Sequence, residues 1–322
     1  MRALVTGGAG FIGSHVVELL VAMNHRVVVL DDFSTGYKDF VPVHPDVQIV
    51  PGSITRSSPC DKLCRQADII IHLAAVTSPE AINAPLRTVR TNIIGTDLVL
   101  DSALEIAIGA KRPQMFVASS SEAYGSTNVS PISENEAGVF DGSPRSVFGM
   151  TKRLAETIAL ARRATVGRIF NVSGPRQSLD YVLPRFVVAA LQNEPLIVFG
   201  SGDQTRTFAH VREVARAIVQ LALYGLPDRN LLIEGEVFNI GGTEEISMLQ
   251  LATRVRDAIP GSKSPIVHKT PTLAGLPDDY EDVCRHIPDL SKMQRVLGWV
   301  PTSPIDVIIQ DVIEYQKGRL AQ

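Results

Sequence analysis

A doubly wound α/β fold of the Rossmann type, with a smaller C-terminal α/β domain for substrate, is predicted by three features of the sequence. Short β-branched runs alternate with longer helical patterns through the first half of the chain. A glycine-spaced loop, Thr6-Gly7-Gly8-Ala9-Gly10-Phe11-Ile12-Gly13, follows the first run directly. The second run ends in two carboxylates, Asp31-Asp32.

Strands are predicted at 3–5, 26–30, 47–50, 69–72 and 115–118, with helices at 12–23 and 89–105 among the segments between them. Unbroken apolar runs such as Val27-Val28-Val29-Leu30 suit strands covered on both faces of a parallel sheet. A further unit follows, a helix at 148–164 and a strand at 166–171. Beyond Asn171, Pro175, Pro184 and Pro195 break the chain into shorter pieces. The expected division is therefore an NAD-binding domain at 1–172 and a substrate domain at 173–322. Elements within 208–241, notably a helix at 211–223, are expected to return to the first domain.

Gly7, Gly10 and Gly13 have the spacing of a dinucleotide fingerprint. Glycines let the backbone approach a pyrophosphate without a Cβ, and the helix that starts there offers its free N–H groups. A carboxylate at the end of the second strand accepts hydrogen bonds from both adenosine ribose hydroxyls. It repels a 2′-phosphate, so NAD is expected rather than NADP.

The 322 residues are 45% apolar and 20% charged, with a formal net charge of −3. That balance offers no basic excess for nucleic acid or anionic lipid. No apolar run is long enough to span a bilayer and Met1 leads straight into a strand, so a cytoplasmic protein is expected. Cys60, Cys64 and Cys284 form no zinc set, no metal is expected, and all three read as reduced structural thiols.

With these segments in order, the chain resembles the extended short-chain dehydrogenase/reductases, the NAD-dependent epimerase/dehydratase family. The resemblance runs nearly end to end. It includes the glycine loop, Asp31-Asp32-Phe33-Ser34-Thr35-Gly36, His72-Leu73-Ala74-Ala75, Thr91-Asn92-Ile93-Ile94-Gly95-Thr96 and Ser119-Ser120-Ser121-Glu122-Ala123-Tyr124-Gly125. Later come 168–176, 200–211, Phe238-Asn239-Ile240-Gly241-Gly242 and Leu297-Gly298-Trp299. The resemblance implies that Gly7, Gly10, Phe11, Ile12, Asp31 and Asp32 hold the cofactor. Ser34, Thr35, Gly36, Ser53 and Ile54 would meet its adenosine half, although the family usually has Asp at position 53. Leu73, Ala74, Ala75, Thr77 and Asn92 would line its channel, with Ala118, Ser119 and Phe170 beside it. Relatives often dimerise through a four-helix bundle that uses the Lys152 helix, so a homodimer is expected.

Members of the family carry Tyr-x-x-x-Lys, the tyrosine acting as acid and base. Here the segment is Phe148-Gly149-Met150-Thr151-Lys152. The i, i+4 spacing keeps both side chains on one helix face, but phenylalanine cannot take or return a proton. Two readings of Phe148 stand: a natural residue, its work passed to Ser120, Ser121 or a water, or a Tyr→Phe replacement that holds a complex without turnover. Lys152 would still hold the nicotinamide ribose. Dehydratases and related decarboxylases carry a glutamate where this chain has Glu122. Oxidation at C4 of a hexose acidifies the C5 hydrogen, which a carboxylate there can remove before the C6 hydroxyl leaves. The 4,6-dehydratases usually place Asp where Ser121 stands.

On the substrate side the resemblance implies Asn171 and Arg206 at a diphosphate, with Ser120 at the sugar. Phe199 would lie on the nucleotide base, Asp282 on its ribose and Arg285 on the diphosphate again. The guanidinium fork matches phosphate in charge and shape. Ser-Ser-Glu combined with Phe148 is most similar to the hexosamine 5,6-dehydratases of tunicamycin-type antibiotic biosynthesis, which form an exocyclic alkene from UDP-N-acetylglucosamine. The expected function is thus an NAD-dependent nucleotide-sugar dehydratase, a lyase. A UDP-sugar 4-epimerase, a UDP-glucuronate decarboxylase and a catalytically silent NAD-binding protein are the alternatives.

Overall fold

A computed structural model of the chain describes residues 1–104, 112–143, 146–224, 233–270 and 285–321. Seven parallel strands form its centre. They are β1 (Arg2–Thr6), β2 (Arg26–Asp31), β3 (Val47–Pro51), β4 (Ile69–His72), β5 (Gln114–Ser120), β6 (Thr165–Ile169) and, much later, β11 (Val237–Ile240). Across the sheet the order is β3-β2-β1-β4-β5-β6-β11. The chain winds outward one way from β1 and the other way from β4. A crevice therefore opens between the carboxyl ends of these two neighbours, where ligands of open α/β sheets bind.

The strands are apolar on both faces because helices cover both. Ala3, Val5, Val27, Val29, Ile69 and Ile71 face one layer, in a core shared with α1 (Phe11–Ala22) and α8 (Val211–Tyr224). Leu4, Val28, Leu30 and Ile70 face the other, against α2 (Ser57–Cys64), α5 (Thr96–Leu104) and α6 (Ser146–Ala161). Cys60 and Cys64 belong to that second core, where burial pushes their thiols up to about 11 and about 12. Cys284 lies outside the described residues.

The 89–105 segment is not the single regular helix expected. It comprises α4 (Pro85–Val89), a π-helical turn at Arg90–Gly95, and α5. The wider turn carries Asn92, whose amide leaves the helix to bond the chain at Val76. Between β4 and α4 stands one short turn, α3 (Ser78–Ala81).

After β6 the chain builds a second core around α7 (Val182–Leu191), α9 (Met248–Asp257) and α11 (Ile305–Leu320). Short strands edge it: β7 (Val172–Ser173) pairs with β10 (Ala209–His210), β8 (Leu196–Phe199) with β13 (Ile266–Lys269), and β9 (Thr205–Thr207) with both β12 (Glu245–Ser247) and β14 (Arg285–His286). The two cores are interleaved along the chain. Besides α8 and β11, the stretch before α11 contributes Leu290, Met293 on α10 (Ser291–Leu297) and Trp299 to the first core. No helix among the described residues is long and apolar enough to cross a membrane.

Candidate active site

The glycine loop is shaped by contacts that leave no room for side chains. Gly7 has φ +71°, and a Cβ on it would lie 2.7 Å from the Ala74 nitrogen. One on Gly13 would lie 2.1 Å from the Gly7 oxygen. Gly10 ends the turn and precedes α1, with no side-chain cap and no acidic residue in the first helical turn. The amino end of a 12-residue helix is thus left with unsatisfied N–H groups at the crevice. These are the requirements of a pyrophosphate, and the residues present fit a dinucleotide.

Asp31, at the end of β2, is 8% exposed. One carboxylate oxygen accepts the Ala9 N–H and the other the Phe33 N–H, each at 2.9 Å. Each oxygen keeps a further lone-pair site for a ribose hydroxyl. Burial pushes the Asp31 carboxyl above its ordinary value, and the two N–H bonds oppose that rise. Asp32 accepts the Ser34 N–H at 3.0 Å and so shapes the Ser34–Gly36 turn. Gly7, Gly10, Phe11, Ile12, Asp31, Asp32, Ser34, Thr35, Gly36, Ser53 and Ile54 all line one cleft of about 980 Å³.

At Leu73, Ala75, Thr77 and Ala118 this cleft meets a second, of about 870 Å³, that runs toward the C-terminal core. Ala74 lines the first cleft and Ser119 the second. Phe170, expected at the cofactor, lines only the second cleft, where its ring packs 6.1 Å from Tyr124 and 5.1 Å from His286. Asn92 lines neither. It is 1% exposed, its oxygen accepting the Val76 N–H at 2.8 Å and its amide donating to Val76 O at 3.0 Å. The same amide donates to the Thr151 hydroxyl at 3.2 Å, so Asn92 braces the channel wall against α6.

The reacting end is assembled where β5 stops. Ser120 and Ser121 line the second cleft, and the Ser120 hydroxyl accepts the Glu122 N–H at 3.2 Å. That bond starts a 3₁₀ turn, Ser121–Tyr124, which presents Glu122 to the cleft. The Ser78 hydroxyl donates to the Glu122 carboxylate at 3.5 Å. Ser119 instead points its hydroxyl at Glu156, which is held by two bonds from Arg168, at 2.9 and 2.7 Å. This buried ion pair lies behind the strand and anchors it.

Lys152 is 8% exposed and its ammonium donates to Ala118 O at 2.8 Å. Burial drives its pKa down to about 8, with Glu156 pulling the other way. Phe148 lies one turn earlier on α6, 6% exposed, with the Lys152 nitrogen 5.9 Å from its ring centroid. It packs on Val76 and Ala81. A phenylalanine face, not the phenol expected from the Tyr-x-x-x-Lys pattern, thus forms this wall.

Toward the C-terminal core, Asn171, Phe199 and Arg206 line the second cleft. The Asn171 amide nitrogen is buried without a hydrogen-bond partner, a donor awaiting an acceptor. Arg206, on β9, donates to Thr205 O at 2.7 Å. Arg285 is placed differently from its expected role. It is absent from the cleft lining and its guanidinium takes the Glu245 carboxylate at 2.8 and 2.9 Å. Its strand pairs with β9 so that Arg285 stands opposite Thr205, not Arg206, and its side chain shares the Thr205–Glu245 face. Asp282 lies outside the described residues.

Two cleft residues escape a reading by motif. Arg185 projects from α7, and Tyr181 caps the start of that helix. Burial, reinforced by the charges of Glu122 and Asp180, pushes the Tyr181 phenol above its ordinary value, and the neighbouring Thr77 side chain opposes that rise. Among the described residues no cluster of His, Cys, Asp and Glu is arranged to hold a metal.

Comparisons with known proteins agree with this geometry. The profile of the family described as GDP-mannose 4,6 dehydratase matches residues 4–312. UDP-glucuronic acid decarboxylase 1 of Xenopus tropicalis is 34% identical over 99% of this chain and 73% of its own length. The UDP-N-acetyl-alpha-D-glucosaminuronate decarboxylase of Bacillus cytotoxicus is 31% identical over 98% of this chain and 97% of its own. Among solved structures, the UDP-glucose 4-epimerase of Thermotoga maritima, determined with UDP-glucose, superposes with a TM-score of 0.86. It is 28% identical and covers 99% of this chain and 100% of its own. The dTDP-glucose 4,6-dehydratase of Streptomyces venezuelae, determined with NAD and TYD bound, gives a TM-score of 0.84 at 27% identity, over 100% and 98% of the two chains. The chain belongs to the NAD-dependent epimerase/dehydratase family of extended short-chain dehydrogenase/reductases, whose members act on nucleotide sugars.

Proposed function

We propose that this NAD-dependent nucleotide-sugar enzyme is a 5,6-dehydratase, eliminating water across C5 and C6 of a UDP-linked N-acetylhexosamine. The observation that carries the reading is one cleft that holds Glu122 beside the buried pair Phe148 and Lys152. An epimerase leaves C5 untouched, so a carboxylate aimed into the cleft would be idle in it.

What NAD supplies when bound is a reversible hydride acceptor at sugar C4, so that no external reductant is consumed. The residues of the chain move the protons. With no phenol at position 148, the C4 hydroxyl proton passes through Ser120 or a water toward Lys152. Burial holds the Lys152 pKa down to about 8, so a fraction of the population is the free amine near neutral pH and can take the proton. The C4 ketone acidifies C5–H, and the Glu122 carboxylate removes that proton. The electron pair left at C5 forms the C5=C6 bond as the C6 oxygen departs. Asn171, with its unpartnered amide, and Arg206 bind the diphosphate. Phe199 stacks on the base.

A second reading, decarboxylation of a UDP-uronate, is favoured by the 34% identity to UDP-glucuronic acid decarboxylase 1 and by Arg185, a cation in the cleft that could meet a C6 carboxylate. Proton NMR of the protein with NAD in D₂O separates the two. UDP-N-acetylglucosamine should give vinyl signals; a deoxy methyl group would point to 4,6-elimination. A pentose product from UDP-glucuronate, with UDP-N-acetylglucosamine inert, would replace the proposal by decarboxylation.

The reading extends to assembly. Met150 and Leu154, one turn apart on α6, are 44% and 48% exposed, and Ile94 before α5 is 49% exposed. These apolar side chains suit a homodimer packed helix against helix. Sedimentation of Leu154→Glu as a monomer beside a wild-type dimer tests it.

A further inference from the structure

We propose that Tyr181 is the general acid that protonates the departing C6 hydroxyl, a task for which Ser121 offers no acidic side chain. The inference rests on the elimination proposed above and adds the proton donor that it lacks.

Place is the first argument. Tyr181 is among the few residues that line both clefts, and Thr77 and Ala75 are others. It therefore stands at the seam where the cofactor channel opens into the sugar site. The reacting carbons of a hexose presented to the nicotinamide must lie at that seam.

The second argument is how firmly it is held there. Tyr181 caps α7 with extended backbone, φ −97° and ψ 151°. Its N–H donates to Ser178 O at 3.2 Å, its carbonyl accepts the Arg185 N–H at 3.3 Å, and its hydroxyl faces the side chain of Thr77. The next residue, Ser78, donates to Glu122. The residue before, Val76, is clamped through both N–H and C=O by Asn92. Base and acid thus approach consecutive positions of one pinned loop, and both face one cleft.

Elimination among the neighbours is the third. Among the described residues, the other ionisable side chains lining the sugar cleft are Glu122, Lys152, Arg185, Asp203 and Arg206. Glu122 is committed to C5, and guanidinium groups do not release protons. Lys152 donates to Ala118 O and serves the C4 hydroxyl, while Asp203 is exposed. Burial and the Glu122 charge keep the Tyr181 phenol protonated until a stronger base, the leaving oxygen, develops beside it.

The step balances without an added reagent. Glu122 takes the C5 proton, and the C5–H pair becomes the C5=C6 bond. The C6–O bond breaks with its electron pair on oxygen, and that oxygen takes the phenol proton and leaves as water. The proton held by Glu122 then restores the phenolate, so base and acid are both reset.

The test compares Tyr181→Phe with the wild-type holoenzyme in D₂O, on UDP-N-acetylglucosamine and on its 6-deoxy-6-fluoro analogue. Fluoride departs without needing the acid. The variant should form alkene from the hydroxyl substrate roughly 10²–10⁴-fold more slowly, the usual worth of a general acid. It should still exchange deuterium into C5, and it should process the fluoro analogue at close to the wild-type rate. Loss of C5 exchange along with elimination, or an equal deficit on both substrates, would overturn the assignment by making Tyr181 structural. Undiminished elimination from the hydroxyl substrate would overturn it too. A wild-type enzyme that forms no alkene from either compound instead overturns the dehydratase reading and the assignment with it.

Discussion

Under the glycine loop, the cleft recognises its ligand with backbone. The Gly7–Gly13 turn, the amino end of α1 and the Ala9 and Phe33 amides on Asp31 come from two neighbouring strands and their connections. At the sugar-facing end, recognition is by side chains, which arrive from β5, α6, α7, β9 and the loop after β4. Backbone geometry tolerates almost no substitution but can serve any reaction that needs the same dinucleotide. Side chains on separate elements can be exchanged singly. A tyrosine can thus become Phe148 while Lys152 and the glycine cradle stay in place. Within one family, chemistry diverges at this second end.

If the two halves are separable, variants at each should fail in different ways. Glu122→Gln keeps the size and the hydrogen bonding of the side chain but cannot hold the C5 proton. A drop of roughly 10²–10⁴-fold in kcat is expected, with C5 deuterium exchange lost and NAD affinity unchanged. Exchange that survives in this variant would remove Glu122 from the role of base.

Gly13→Ala should produce the complementary failure. Its Cβ would stand 2.1 Å from Gly7 O and 2.8 Å from Gly8 Cα, and neither backbone atom can yield alone. Overpacking of about 1–3 kcal/mol corresponds to roughly 5- to 150-fold weaker NAD binding, measured by titration calorimetry. At saturating NAD the kcat should recover. A variant with normal affinity would show that the loop has slack the close contacts deny.

The same contrast explains what the sequence could disclose. Strand, glycine turn and helix fall within the first 22 residues, and the spacing that makes the turn is the spacing that binds. Phe148 and Lys152 were legible because i, i+4 on a helix fixes a shared face. Tyr181 gave no such signal. It is a loop residue whose direction is set by the packing of α7 on α9 and α11, a long-range outcome with no local period. The setting of Arg285 left no mark either: strand pairing places it opposite Thr205 and beside Glu245, and such a register is not written in the local sequence. The broken helix at Arg90–Gly95 escaped for a related reason, since the apolar period continues through a π turn that Asn92 needs.

Phe148→Tyr blurs the boundary between the halves by returning a phenol beside Lys152. The new hydroxyl would sit near an ammonium that favours its ionised form. Faster C4 oxidation should raise C5 deuterium exchange by up to about tenfold, less than the usual 10²–10⁴-fold worth of an acid–base group because Ser120 or a water already carries that proton. The ratio of alkene formed to deuterium exchanged should not change, because the leaving step belongs to another residue. A lasting inactive complex would instead mean that the bulkier ring closes the seam.

The smallest effect expected comes from His72, which joins the halves at the end of β4. It is 3% exposed, with one ring nitrogen 2.7 Å from the Thr6 hydroxyl and the other 3.0 Å from that of Thr96. Burial, reinforced by the Lys152 charge, pushes its pKa down from 6.5 to about 3. In the unfolded chain the ring titrates at its ordinary value. Between these limits the unfolded state binds a proton that the native state refuses, so this residue makes stability fall as pH drops from 6.5 toward 3. Lys152 acts at the other extreme: its lowered pKa makes stability rise with pH from about 8 toward 10.5. Urea unfolding of His72→Gln across the acid range should therefore show a shallower limb, by at most about one proton, with the alkaline limb unchanged. An acid limb as steep as in the wild type would mean that the native imidazole is already protonated, and the two hydroxyls would then both accept from it.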